Sequence, residues 1–148
     1  MIRRLRRDRR GVAAVEFALV AVPMLMLILG TLEFGRWLWI MQALQATAAE
    51  GARCMAVLNP ACTGKGGGYD AASTQTHVRT VAGSWGVALP TSGIVLNRPA
   101  SITPSSGAIG NLSQVTVTYT FQSVVTGLIP ALGGNKTVTA QAYVPNWQ

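Results

Sequence analysis

Acid is scarce in this sequence: Asp8, Glu16, Glu33, Glu50 and Asp70 are the five carboxylates among 148 residues. Histidine is scarcer, with His77 alone, and cysteine stops at Cys54 and Cys62. Each shortage removes a class of chemistry. Beyond residue 57 there is one Asp and one His, and no two carboxylates to share a proton. No acid–base couple or activated nucleophile can be built from that set, so the chain does not read as an enzyme. Two cysteines and one histidine do not complete a structural metal site, which takes four ligands. No cofactor motif stands out either. Thr63-Gly-Lys-Gly-Gly-Gly68 looks superficially like a phosphate loop, but the Gly-Lys-Ser/Thr order after a strand is missing. Positive charge is plentiful only in one place. The net charge is +7. Arg3, Arg4, Arg6, Arg7, Arg9 and Arg10, offset by Asp8, put most of it into the first ten residues. The remainder has no basic face with interleaved aromatics, so nucleic acid is not an expected partner.

What the sequence does have is a long apolar run. Residues 12–32 carry one charge, Glu16. A spanning helix needs about 20 mostly apolar residues at 1.5 Å rise each, so this run is long enough to cross a bilayer. The arginine block before it is the positive-inside signal. Residues 1–11 are therefore expected to be a basic cytoplasmic leader. Residues 58–148 are expected to be a periplasmic or extracellular body on the far side of the inner membrane. Glu16 is the anomaly. A carboxylate costs on the order of 2.5–3.5 kcal/mol near the bilayer centre and less near its edge, and such a residue points to function. A cation would neutralise it. Cutting the chain between Gly11 and Val12 creates one, the new α-amino group of Val12. Glu16 is then the fifth residue, and a neighbouring subunit's amino terminus can pair with it. Gly11 suits such a cut because it lacks a Cβ and lets a protease approach the backbone.

The helical pattern does not stop at the membrane edge. Glu33 and Arg36 sit three apart and can pair. Trp37 and Trp39 fall where an aromatic belt belongs. Ile40, Met41, Leu44, Thr47, Ala48, Gly51 and Ala52 continue one helical stripe. Glu50 and Arg53 repeat the spacing of Glu33 and Arg36. One helix is expected over residues 12–57, roughly 70 Å long and about twice the hydrocarbon thickness, so its second half must stand outside. Pro23 removes a backbone hydrogen bond and should kink or loosen the helix. Asn59-Pro60 ends it. Cys54 and Cys62 should form a disulfide if this half is outside the cytoplasm. Thr63–Gly68 reads as a flexible loop. Asp70 or Ser73 caps a second helix reaching Gly83, with Ala72, Val78, Val81 and Ala82 inward.

From Val87 onward the composition turns to Thr, Ser, Val, Gly and Pro. Residues 93–97 are a short strand candidate. Val115, Val117, Tyr119 and Phe121 alternate with polar residues, as do Val138, Ala140, Ala142 and Val144. These two runs should pair antiparallel, with Gly133-Gly-Asn135 as a turn. Residues 124–132 are too apolar for an ordinary loop and should cover the sheet or present a contact surface. The fold class expected is α+β: a long helix, a short helix and a small antiparallel sheet.

Gly11-Val-Ala-Ala-Val-Glu16-Phe17 resembles the type IV prepilin cleavage motif. The longer string through Pro23, Met24-Leu-Met-Leu-Ile-Leu-Gly30 and Glu33-Phe-Gly-Arg36, with Ala48-Ala-Glu-Gly-Ala-Arg53 beyond, is similar to the TadE-like family. These are minor pilins or pseudopilins of the tight-adherence (Flp, type IVb) pilus system. The resemblance covers residues 10–58. It implies a pilin-like fold, cleavage after Gly11 by a prepilin peptidase, and packing of residues 12–32 against other pilin-like subunits. It implies Glu16 and Phe17 at the assembly contact, amino-terminal methylation by analogy, and pilus assembly machinery as partner. The body is larger than that of a major Flp pilin, which favours a minor subunit. An unprocessed, single-pass anchored protein with a periplasmic binding domain is the competing reading. An ordinary signal peptide cut after Ala46-Thr-Ala48 is excluded by length, since a secretory apolar core runs about 7–15 residues.

Overall fold

The computed structural model describes residues 9–102, 109–123 and 135–146. Helix α1 (Arg9–Ala56) has 48 residues. It is continuous through Pro23 and starts inside the basic leader, three residues before the expected Val12. Its end is made locally. Leu58 takes a left-handed φ of 52°, and the amide of Asn59 reaches back to the carbonyl of Cys54 at 3.1 Å. Asn59 then accepts from the amide of Ala61 and opens a single 3-10 turn, Pro60–Cys62.

The Thr63–Gly68 stretch is more ordered than a free loop. Gly64 donates to the carbonyl of Gly68, Gly67 turns back at φ 75°, and Thr63 bridges Tyr69. Helix α2 (Ala71–Ser84) starts at Asp70, whose carboxylate accepts from the amide of Ser73 at 2.7 Å. Of the inward set read from the sequence, Val78 and Ala82 are buried and Val81 is half-buried. Ala72 is exposed; its place is taken by Thr74, which is buried and donates to the carbonyl of Asp70. A 3.6-residue stripe drawn from apolar residues alone skips a threonine whose hydroxyl is satisfied by its own helix.

Three strands follow: β1 (Ile94–Ile102), β2 (Ile109–Phe121) and β3 (Lys136–Pro145). They form one antiparallel sheet in the order β1-β2-β3. β1 and β2 are each longer than expected. β1 runs past Asn97 through two register shifts, with a cis bond at Arg98-Pro99. Proline is tolerated there because β1 is an edge strand. β2 begins six residues before Val115. The residues that alternate as expected face the core: Val115, Val117 and Phe121 are buried on β2, and Val138, Ala140, Ala142 and Val144 pack from β3. The apolar stretch 124–132 and the two glycines of the turn expected at Gly133-Gly-Asn135 lie outside the described residues; of that turn only Asn135 is described, exposed just before β3.

The sheet lies on the second half of α1. Ile40, Ala43, Leu44, Ala48, Ala52 and Met55 form the helix side of the core. The small residues bring the helix axis close to the sheet. β2 runs antiparallel to α1: Gly51 adjoins Val115, and Arg36 adjoins Phe121. Fifteen helical residues rise about 22 Å and six strand residues about 20 Å, so the two ladders keep pace. The body is therefore mounted on residues 36–56, and residues 11–32 lie outside its core.

Candidate functional site

Every residue from Gly11 to Leu32 is exposed except Ala21, which is half-buried. Phe17 is 75% exposed and Leu19 72%. Exposure on this scale is foreign to a helix that lives in water, where an apolar face is buried against a core. By length and composition α1 can cross a membrane, and none of its most apolar window is covered by the other described residues. Glu16 is exposed in that stretch, and among the described residues no ion pair involves it. Gly11 has no atom within 4 Å of where a Cβ would stand. Its size is not required by the chain's own packing.

The end of the body nearest the apolar half of α1 is built around Arg36. Its guanidinium stands 3.9 Å from the Glu33 carboxylate, 5.0 Å from the centre of the Phe121 ring, and 3.5 Å from the carbonyl of Gln122. Glu33 and Arg36 thus do pair locally, as their spacing suggests. The pair alone contributes little, about 0.3–0.5 kcal/mol for an exposed helical pair. The larger role of Arg36 is to tie the end of β2 to α1, a contact that spacing along the helix could not reveal. Phe34 and Trp37 stack at 5.8 Å. Trp37 also packs against the edge of the core. Trp39 is 57% exposed and meets the body: its indole N–H donates to the carbonyl of Trp85 at 3.2 Å, and the two rings pack edge-on at 5.6 Å. Glu50 and Arg53, further along, are exposed.

At the far end of α1, Cys54 and Cys62 are joined as a disulfide. It fastens the last turn of the helix to the 3-10 turn. Both cysteines are buried. His77 from α2 presents a ring nitrogen within 4.8 Å of the two sulfurs. The sulfurs are spent on each other, so these three residues do not form a metal centre in this state. The Nε2 atom of His77 is buried without a hydrogen-bond partner.

A polar clasp closes the opposite end of the sheet. The Asn146 side chain accepts from Ser113 and from Arg98, and donates to Asn111 at 2.9 Å. Its backbone amide donates to the carbonyl of Asn111. Arg98 also lies over the Tyr69 ring at 5.7 Å. Burial raises the Tyr69 hydroxyl above its ordinary pKa, with Arg98 opposing and Asp70 adding to the effect. Ser113 is buried and satisfied by the clasp. Nothing in the linear spacing of residues 98, 113 and 146 signals their meeting.

Residues 11–53 match the family model described as TadE-like protein. The match begins at the glycine of the cleavage motif and ends in the last turn of α1, so it covers the helix and stops short of the body. No curated protein and no solved structure matches the chain.

Proposed function

We propose that this chain, TadE-like over residues 11–53, is a minor pilin or pseudopilin-like subunit of a tight-adherence (Flp, type IVb) pilus system. One observation carries the reading. Among the described residues nothing covers the apolar half of α1, and the family match starts at Gly11, where that half begins. A helix so exposed needs lipid, other helices, or each in turn.

The sequence of events follows from the charges. The arginine leader holds the amino terminus in the cytoplasm while residues 12–32 span the inner membrane and the body faces the periplasm. A disulfide in the body fits that oxidising side. A prepilin peptidase cuts after Gly11 and removes the arginines. The Val12 amine so created carries a positive charge at the start of the helix. When subunits stack, that amine sets against Glu16 of a neighbour, and two charges that are each costly in hydrocarbon become one neutral pair. Phe17 and the apolar residues after it supply the packing surface. At Pro23 a backbone hydrogen bond is missing, which gives the helix a place to bend as it leaves lipid for the assembly. Pilus assembly machinery and other pilin-like subunits are the partners, and the body is what such an assembly would display.

The test separates insertion from assembly. Glu16→Gln and Glu16→Ala should remain in the membrane fraction at native abundance but fail to co-purify with other pilin-like subunits in sheared surface material. Undiminished co-purification of both variants would remove the charge pair from the account.

A further inference from the structure

We propose that the membrane-side rim of the body lies against the bilayer surface, where Arg36 and Lys136 take the phosphates of anionic phospholipid headgroups while Trp39 and Trp85 sit among them. The inference rests on residues 12–32 being the membrane span. From the end of that span Arg36 is about 6 Å further along the helix and Trp39 about 10 Å. The headgroup layer adds roughly 5–8 Å beyond the hydrocarbon on each side. Arg36 therefore stands within the headgroup layer and the Trp39 backbone just beyond it, with the Trp39 side chain leaning back toward it because helix side chains tilt toward the helix N-terminus.

Two pieces of the body are fixed there. Phe121 and Gln122, at the end of β2, contact the Arg36 guanidinium. Phe121 is paired in register with Lys136, the first residue of β3. The core-facing residues of β3 are Val138, Ala140, Ala142 and Val144, so Lys136 lies on the same face as Val138, toward α1. The register thus sets a second exposed cation beside the Phe121 ring that already holds the first. Trp85, just past the end of α2, is held to Trp39 by ring packing and by a hydrogen bond, and is 37% exposed. Phe34 and Leu38 are exposed between them. Aromatic rings flanked by Arg and Lys, continuous with a membrane helix, match the chemistry of a lipid interface. A second copy meeting the same face would bring its own Arg36 and Lys136, offset only by Glu33, against these, so the two rims meet with like net charge. Lipid phosphate carries the opposite charge.

The test uses the full chain reconstituted in phosphatidylcholine vesicles, with or without phosphatidylglycerol. Nitroxide lipids carry the quencher either near the headgroup or deep in the chain. The difference between the native chain and Trp85→Phe reports the Trp85 emission together with any change in its ring partner Trp39, both of which lie on the rim. The headgroup quencher should remove most of that emission and the deep quencher little. Lys136→Gln should lower the headgroup quenching on anionic vesicles to the level seen without phosphatidylglycerol, and Arg36→Gln should do the same. Trp85 emission that the headgroup quencher leaves intact, in protein that floats with the vesicles, would overturn the rim contact and leave the span standing. Quenching indifferent to both lysine and anionic lipid would overturn the phosphate contact. Quenching that rises with protein density would assign the rim to a neighbouring copy and overturn the proposal. Protein that fails to float with the vesicles would overturn the span and the rim together.

Discussion

Gly51 on α1 and Val78 on α2 approach so closely that a Cβ at residue 51 would stand 2.7 Å from the Val78 Cγ2 atom. The same added carbon would stand 3.4 Å from Val115 on β2. Helix, helix and sheet meet at this point, and the missing side chain is what lets them. Gly51→Ala gains helix propensity of up to about 1 kcal/mol but must move a valine that is fully buried. Overpacking of this kind costs about 1–3 kcal/mol. A net loss is expected for alanine and a larger one for Gly51→Val, read as a lowered midpoint of thermal unfolding in detergent. A Gly51→Val variant as stable as the native chain would contradict the packing described.

Thr47 tests the same interface in the other direction. It is buried on the sheet-facing side of α1, and its hydroxyl has no hydrogen-bond partner. An unsatisfied buried hydroxyl costs about 1–3 kcal/mol. Thr47→Val keeps the shape and removes the polar atom. The variant should unfold at a higher temperature than the native chain, with a gain of about 1 kcal/mol.

The disulfide closes a loop of eight residues in sequence separation. In the chain-entropy picture a loop of that length contributes about 2–3 kcal/mol. Reduction, or Cys54→Ala with Cys62→Ala, should destabilise the body by that amount. Among the described residues none covers the apolar half of α1, so insertion should be unchanged. Unfolding of the body and flotation with vesicles, measured on the same sample, check both halves of the statement.

Asp70 gives the body a dependence on acid. Hydrogen bonds from Ser73, through its side chain first and its backbone next, hold the Asp70 carboxyl below its ordinary pKa. A carboxyl with a lowered folded-state pKa stabilises the fold above its unfolded-state value and loses that contribution as pH falls through the folded-state value. The start of α2 should therefore loosen on acidification to below about pH 4. Asp70→Asn keeps a capping oxygen without the titration, and its unfolding midpoint should vary less with pH in that range. Asp70→Ala should be less stable than either at neutral pH.

The parts of the fold governed by local periodicity were legible in the sequence. Val115, Val117 and Phe121 on one strand and Val138, Ala140 and Ala142 on the other alternate without interruption, and the antiparallel pair follows. Asp70 announces α2 because a capping side chain acts on amides two or three residues away. Residues 98–102 were not legible as strand, because Pro99 is a strand breaker everywhere except at an edge, and edges are a property of the sheet. Residues 109–114 carry no strand pattern for a related reason: Gly110 and Asn111 are residue types that favour turns, and Asn111 takes a left-handed φ of 59° inside β2. The Trp39–Trp85 contact spans 46 positions. Only the docking of α2 onto α1 brings those rings together. The apolar run was legible as one long helix and as the stretch similar to the TadE-like family, since length, composition and order are properties of the sequence itself.

The amino terminus of the protein taken from cell membranes tests the central claim most directly, by intact mass. The account predicts a chain beginning at Val12, and an uncut precursor for Gly11→Val. Among the described residues no atom crowds residue 11, so a defect in that variant reports the protease rather than the fold. A native chain that still begins at Met1 and keeps its arginines would contradict the account, and would leave a permanently anchored protein with an external body in its place.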